Sequence, residues 1–496
     1  MKTNSNYFFQ SFLILLLATG FFLGLKDFLP KKIFSEKGGN TKNVLIDSML
    51  LDAFEAEPDL EVVENVQTKE DSLDKVPVVF EENDGIKFPE EKFENYKGNQ
   101  FLIPFFEQLY QLETNQKGKV RIAYFGDSMT DGDMIVQDFR TYFQEKFGGQ
   151  GVGFVAITSE SAASRSSVVH EFSKNWKTQS YLNVKYPNRP FGVNGHVFFA
   201  NDTAHSAWVK YKSGRSRYNT QLDHPTLFYG SGKNKNGQIN YIVGKDTLRK
   251  TLLPNKILNT LSLSNNPLKQ LKVNFSKADS IPIYGFNFDD GVGVHVDNFS
   301  QRGNSGIPIS KFDVATMKAF QEQLHYNLIV LHYGTNVLNY GTKEYSWYDR
   351  SMTKTVNRLR ECFPGVSILV VSTADKSSKY DLEMKTDSAV VPLTLAQKRY
   401  ALKTKSSYVN LYTLMGGDGS MVKWTEEEPA LANKDYTHFN FRGAKKVAKI
   451  IYDQLDEGYQ QYKVLRKSKK VTPPKPKKKS LIDTIFSDPE TPEPHE

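Results

Sequence analysis

Residues 121–147 read RIAYFGDSMTDGDMIVQDFRTYFQEKF. The first five form a short apolar run of the kind that makes a strand buried on both faces. Residues 126–133 are a loop of small and acidic residues. From Ile135 the period changes, and Ile135, Phe139, Tyr142, Phe143 and Phe147 share one face of a helix. A buried strand, a loop and an amphipathic helix are the first half of a strand–helix–strand unit. Repeated units of this kind build a parallel sheet with helices on both faces.

The pattern returns later in the chain. Val314, Met317, Phe320 and Leu324 make a helical stripe, and residues 327–333 (NLIVLHY) read as a buried strand. A helix is predicted at 348–362, a strand at 366–372, a helix at 393–404, a short strand at 408–414 and a closing helix at 442–455. The gap has another texture. Residues 171–289 are rich in Gly, Asn, Ser, Lys and Thr, with short alternating runs at 196–199, 207–211, 226–229, 239–243 and 271–275. These predict an antiparallel β-sandwich inserted into one loop of the α/β domain. It carries Trp176, Trp208, Tyr181, Tyr211, Tyr218 and Tyr229, whose rings either stack on a sugar or pack the core.

The chain has 496 residues, enough for more than one domain, and a net charge of +8. Lys463, Arg466, Lys467, Lys469, Lys470, Lys475, Lys477, Lys478 and Lys479 fall in one stretch without an acid. This stretch accounts for the excess, so the charge does not point to nucleic acid. One cysteine, Cys362, excludes an intrachain disulfide and reads as structural. Residues 8–25 are almost wholly apolar, and eighteen helical residues span about 27 Å, near the bilayer core. No small-x-small cleavage site follows, which favours an uncleaved anchor over a cleaved signal peptide. Lys26, Lys31, Lys32 and Lys37 follow the span and only Lys2 precedes it, a balance that argues against export.

Three short strings carry chemistry. Ser128, in Gly126-Asp127-Ser128, follows a strand and precedes a helix, the place where a parallel sheet exposes its site. A serine hydroxyl needs a base to take its proton. Asp435-Tyr436-Thr437-His438 supplies one, because a three-residue separation lets the carboxylate reach Nδ1 and leaves Nε2 for the serine. Asn336, in Gly334-Thr335-Asn336, leaves the strand at 327–333 and can donate its amide to an oxyanion. A further N–H is expected from the segment at 296–306, from Gly303 in preference to Gly306. The glycine-rich loop at 415–421 lies just upstream of the acid–histidine pair, and spacing assigns it no role.

In this order the strings resemble the SGNH (GDSL-type) hydrolases. Ser128 stands in GDSMTDGD, Gly303 in NFSQRGNSG, Asn336 in HYGTN, and Asp435 with His438 in DYTHFN. The closer resemblance is to bacterial peptidoglycan O-acetylesterases, which carry a carbohydrate-binding-like β-sandwich between the first and second blocks and commonly have His where this chain has Met129. The resemblance implies a flavodoxin-like three-layer α/β/α domain, catalysis by Ser128, Asp435 and His438, and an oxyanion hole from Ser128, Gly303 and Asn336. It implies no metal and no cofactor. Asp127, Trp176 and Trp208 are candidate substrate-binding residues. The expected organisation is a signal anchor (1–32), an acidic flexible linker (33–100), the first part of the hydrolase domain (101–170), the insert (171–290), its second part (291–460) and a disordered tail (461–496). The expected activity is removal of O-acetyl groups from a cell-envelope polysaccharide, peptidoglycan first. The rivals are a membrane-anchored O-acyltransferase and a non-catalytic carbohydrate-binding envelope protein. The expected partners are the acetylated glycan and the inner membrane, with the catalytic domain in the periplasm or outside the cell.

Overall fold

Five strands, three of which lead into the candidate site, lie side by side in one parallel sheet. They are β1 (Lys119–Gly126), β2 (Gly293–Asn298), β3 (Tyr326–His332), β4 (Ser367–Val371) and β5 (Ser407–Val409), in the order β2-β1-β3-β4-β5. Every neighbouring pair is parallel. The computed structural model describes residues 12, 13, 16, 17, 19, 20, 47–55, 77–200, 206–340 and 344–468. Its sheet order is one of the two common doubly wound orders, in which ligands bind outside the carboxyl ends where the winding reverses. Register sets Asn298 beside Tyr124 and His332 beside Gly126. The loops that leave β1, β2 and β3 therefore start from one edge.

The strands form because their side chains are apolar on both faces. β1 is buried along its length apart from Lys119. The longer described helices are α1 (Ile103–Asn115), α2 (Val136–Phe147), α3 (Val314–Leu324), α4 (Ser346–Cys362), α5 (Val390–Lys403) and α6 (Phe441–Lys467). Helices α1, α2 and α6 pack with one another, while α3 and α5 both pack on α4. On α2, Phe139 and Phe143 are buried, and Tyr142 and Phe143 meet Tyr452 of α6 at ring separations of 5.4 and 5.0 Å. Cys362 is a buried free thiol.

The insert consists of two antiparallel sheets. One holds Val168–Phe172, Ala207–Ser213, Gln270–Ser276, Gln238–Val243 and Asp246–Thr251; the other holds Lys177–Ser180, His196–Phe199, Ile283–Phe288, Thr226–Gly230 and Leu258–Ser262. They bury one shared apolar cluster, with Val209, Tyr211 and Phe275 from the first and Phe198, Leu227 and Phe286 from the second. The short strand Gly153–Val155 pairs with Ile283–Phe288, so insert pairing begins before residue 171. Fully buried Arg121 of β1 joins insert to sheet. It donates to Asp297 at 2.7 and 2.8 Å and also bonds Asp289 and Asn287.

Three expectations need correction. Residues 77–100 are not a free linker: Phe80, Ile86, Phe88, Phe93 and Tyr96 are buried, and the Tyr96 hydroxyl donates to the Ser406 carbonyl at 2.7 Å. The strand expected at 408–414 ends at Val409, and a short helix, Leu411–Met415, follows, capped by Asn410. Helix α6 continues past residue 460 because α1 supplies acids to its basic last turns. Arg466 grips Glu107 with two bonds of 2.8 and 3.0 Å, and Lys463 reaches Glu113 at 3.2 Å. The tail beyond residue 468 and most of the apolar stretch 8–25 lie outside the described residues. Among the described residues no helix is long and apolar enough to cross a membrane.

Candidate active site

Gly126 ends β1 at a crowded point. A Cβ there would lie 2.1 Å from Thr130 Oγ1 and 3.1 Å from the His332 carbonyl, so only glycine fits. The next residues turn tightly. Asp127 Oδ1 accepts from the Met129 N–H at 2.9 Å, and its carbonyl accepts from the Asp131 N–H at 3.0 Å. Asn298 at the end of β2 braces the turn, donating to the Thr130 carbonyl at 2.9 Å and to Asp133 at 3.1 Å. Arg140 of α2 holds Asp133 from the other side at 2.9 and 3.1 Å. This frame leaves the half-buried Ser128 at the sheet edge.

Ser128 Oγ lies 3.1 Å from His438 Nε2, and His438 Nδ1 lies 2.8 Å from Asp435 Oδ2. Asp435 Oδ1 also accepts from the backbone N–H groups of Thr437 and His438 at 3.0 and 2.9 Å. Burial pulls the Asp435 pKa up. The N–H of His438, its ring and the N–H of Thr437 outweigh this and hold the carboxyl below its usual range. An ionised carboxylate only accepts, so Nδ1 carries the ring proton and Nε2 is free to accept from the serine hydroxyl. The turn that makes this possible has Tyr436 in the left-handed region, at φ +52°. Asn440 then caps α6 by accepting from the N–H groups of Arg442 and Gly443.

Asn336 follows β3 through Gly334, where a Cβ would stand 2.5 Å from that of Thr373. Its side-chain amide donates to the Asn304 carbonyl at 3.1 Å. Gly303 adopts a left-handed turn, φ +77°, in the loop after β2. The same loop holds Gly306, whose added Cβ would stand 2.8 Å from the Tyr333 ring. The strings from the ends of β1, β2 and β3 and the start of α6 thus converge on one edge.

The other sequence candidates are placed differently. Asp127 is buried and shapes the turn from within, which removes it as a substrate contact. Burial pushes its carboxyl up to about 6, against the lowering effects of the Met129 N–H, His438 and Thr335. Trp176 is buried in the insert core, edge-on to Phe275, with its indole N–H on the Trp208 carbonyl at 3.1 Å. It is a core residue, not a sugar platform. Trp208 is half-buried, with Lys272 Nζ 5.0 Å from its ring centre. Met129, which stands at the position of a histidine in the proteins the motifs resemble, is buried in the main apolar cluster.

Sequence reading missed the pair Arg302–Asp131 (2.8 Å), which links the residue before Gly303 to the serine loop. It also missed Asp47, which bonds Ser305 across a separation of 258 residues that no local pattern reveals. Among the described residues, no group of three or more His, Cys, Asp or Glu side chains is placed to hold a metal ion.

A solved structure of a peptidoglycan O-acetylesterase matches 72% of this chain and 96% of its own, at 20% identity and a TM-score of 0.58. The chain shares that esterase's fold. The resemblance expected from the motifs therefore holds at the level of the fold. A family two carbohydrate esterase from Cellvibrio japonicus also matches, over 59% of this chain and 98% of its own, at 10% identity and a TM-score of 0.24. No family model and no curated protein matches the chain.

Proposed function

We propose that the protein is a serine esterase that removes O-acetyl groups from a cell-envelope polysaccharide, with peptidoglycan as its first substrate. The observation that carries the reading is the unbroken relay from Ser128 Oγ through His438 to Asp435. Ser128 attacks the ester carbonyl as His438 Nε2 takes its proton. Asp435 holds the ring and stabilises the imidazolium. The N–H groups of Ser128 and Gly303 and the Asn336 amide bind the oxyanion. His438 returns the proton to the departing sugar oxygen, leaving an acetyl group on Ser128. Water, deprotonated by His438, then releases acetate and restores the hydroxyl.

The fold of a known O-acetylesterase supports the acetyl ester as substrate. The two sets of helices, α1, α2, α6 and α3, α4, α5, support three layers with the sheet between them. The apolar stretch 8–25 supports anchoring in the inner membrane; the placement of the esterase in the periplasm or outside the cell rests on its resemblance to cell-envelope esterases, against the flanking charges. The apolar stretch equally favours a second reading, an O-acyltransferase that passes the same acyl group to a glycan hydroxyl. Ser128→Ala is expected to lower acetate release from a chromogenic acetyl ester by about 10⁴-fold or more. Undiminished turnover in the pure variant would sink both readings. Acetate release from O-acetylated peptidoglycan, measured against acetyl transfer to an added glycan, separates the two.

A further inference from the structure

The loop at 303–306 sets both partners of the oxyanion that do not come from the serine turn. Gly303 lies in it, and the Asn304 carbonyl accepts from the Asn336 amide. Asn304 and Ser305 are wholly buried, so the loop takes its shape from its hydrogen bonds. Asn304 Oδ1 accepts from the Gly306 N–H at 2.9 Å, and its amide donates to the Tyr181 hydroxyl at 2.9 Å. The Tyr348 hydroxyl donates to the Ser305 carbonyl at 2.7 Å.

The remaining donors of Ser305 meet a group from the far end of the chain. Its N–H donates to Asp47 Oδ2 at 3.0 Å, and its hydroxyl donates to the same oxygen. The other carboxylate oxygen caps the helix Ser48–Glu55, accepting from the N–H groups of Met49 and Leu50 at 3.1 and 3.2 Å. Leu50 of that helix is buried, and Phe54 packs on Tyr340 and Trp347 at ring separations of 5.6 and 5.8 Å. Asp47 is itself buried, so its carboxylate is held between two structures and cannot turn to water.

We infer that Asp47 is a positioning residue for the oxyanion hole: through Ser305 it fixes the loop that orients the Gly303 N–H and the Asn336 amide. The helix Ser48–Glu55 is then a working part of the site rather than a spacer. The role of the loop in catalysis rests on the esterase reading above; the fixing of the loop does not.

The test uses the full chain with Asp47→Asn and Asp47→Ala, and with Asp52→Asn as a control on the same helix. Asp52 is exposed and pairs only loosely with Lys185 at 3.6 Å. Two measurements are made. Amide hydrogen exchange should rise about tenfold or more at 303–306 in Asp47→Ala, where Ser305 loses its acceptor, and by less in Asp47→Asn, whose single side-chain oxygen must serve either Ser305 or the helix N–H groups. Turnover of an acetyl ester should fall about 10–100-fold in kcat with KM changed less than about twofold, because a misplaced donor weakens the transition state and not substrate binding. Asp52→Asn should leave both unchanged. If Asp47→Ala does not fold, Ser305→Ala replaces it, and its effect should not add to that of Asp47→Asn. Unchanged exchange at 303–306, or kcat within twofold of the native value, overturns the inference. Turnover that survives Ser128→Ala overturns the esterase reading instead, and the exchange result still decides whether Asp47 holds the loop.

Discussion

Asn336 commits one amide hydrogen to the Asn304 carbonyl, and in the proposed mechanism the other binds the oxyanion. Its orientation is thus set before any substrate arrives, the condition under which an oxyanion donor is worth most. Asn336→Ala should lower kcat about 10²–10³-fold with little change in KM, measured by steady-state hydrolysis of an acetyl ester. A change confined to KM would remove the residue from that role. Ser128, Asn336, Asp435 and His438 could be picked out of the sequence because each stands at a strand exit or a helix start, where local pattern is informative. Asp127 could not be read correctly. Its place in Gly-Asp-Ser gives the residue type but not the direction its carboxylate faces, and here it faces inward. Trp176 failed for a similar reason, since alternation in a β insert shows that a ring lies on a face but not which face is covered.

Helix α6 shows how an element's length is decided by its partner. Its last turns are basic and read alone as a solvated tail, but α1 presents Glu107 and Glu113 along the same line. Arg466 also lies 3.9 Å above the Tyr110 ring. A bidentate pair with a ring contact is worth about 1–2 kcal/mol. Arg466→Ala should lower the unfolding temperature by about 1–3 °C by calorimetry, and an unchanged value would show that the pair is fully screened. Residues 77–98 teach the same lesson. Their acidity suggested a tether, whereas a few spaced aromatics, from Phe80 to Tyr96, supply enough apolar surface to dock. The alternation of buried strands and amphipathic helices was legible because parallel sheets demand it, and the insert was legible only as a texture, since Val168–Phe172 and Lys177–Ser180 are too short and polar to stand out.

Across the described residues, burial holds four histidines neutral. It pushes His170 and His332 down to about 3 and His196 and His295 to about 4. In the unfolded chain they titrate near 6.5. Unfolding therefore takes up protons as pH falls below about 6.5, and stability present at neutral pH is lost toward pH 4. At pH 5.5 the four together cost about 5 kcal/mol. Asp127, raised by burial to about 6, works in the opposite direction by about 1 kcal/mol, as do Asp47, Glu91 and Asp375 more weakly. The urea midpoint should fall between pH 7.5 and pH 5.5, and a flat profile would mean that these histidines are not neutral in the fold. The insertion between β1 and its sheet neighbour β2 has one more consequence, in time rather than in space. Ser128 and His438 are 310 residues apart. At about 5–20 residues per second, a ribosome takes about 15–60 s to travel from one to the other. Throughout that interval the serine has no histidine beside it, so on the esterase reading a growing or prematurely ended chain has no activity unless synthesis reaches the start of α6.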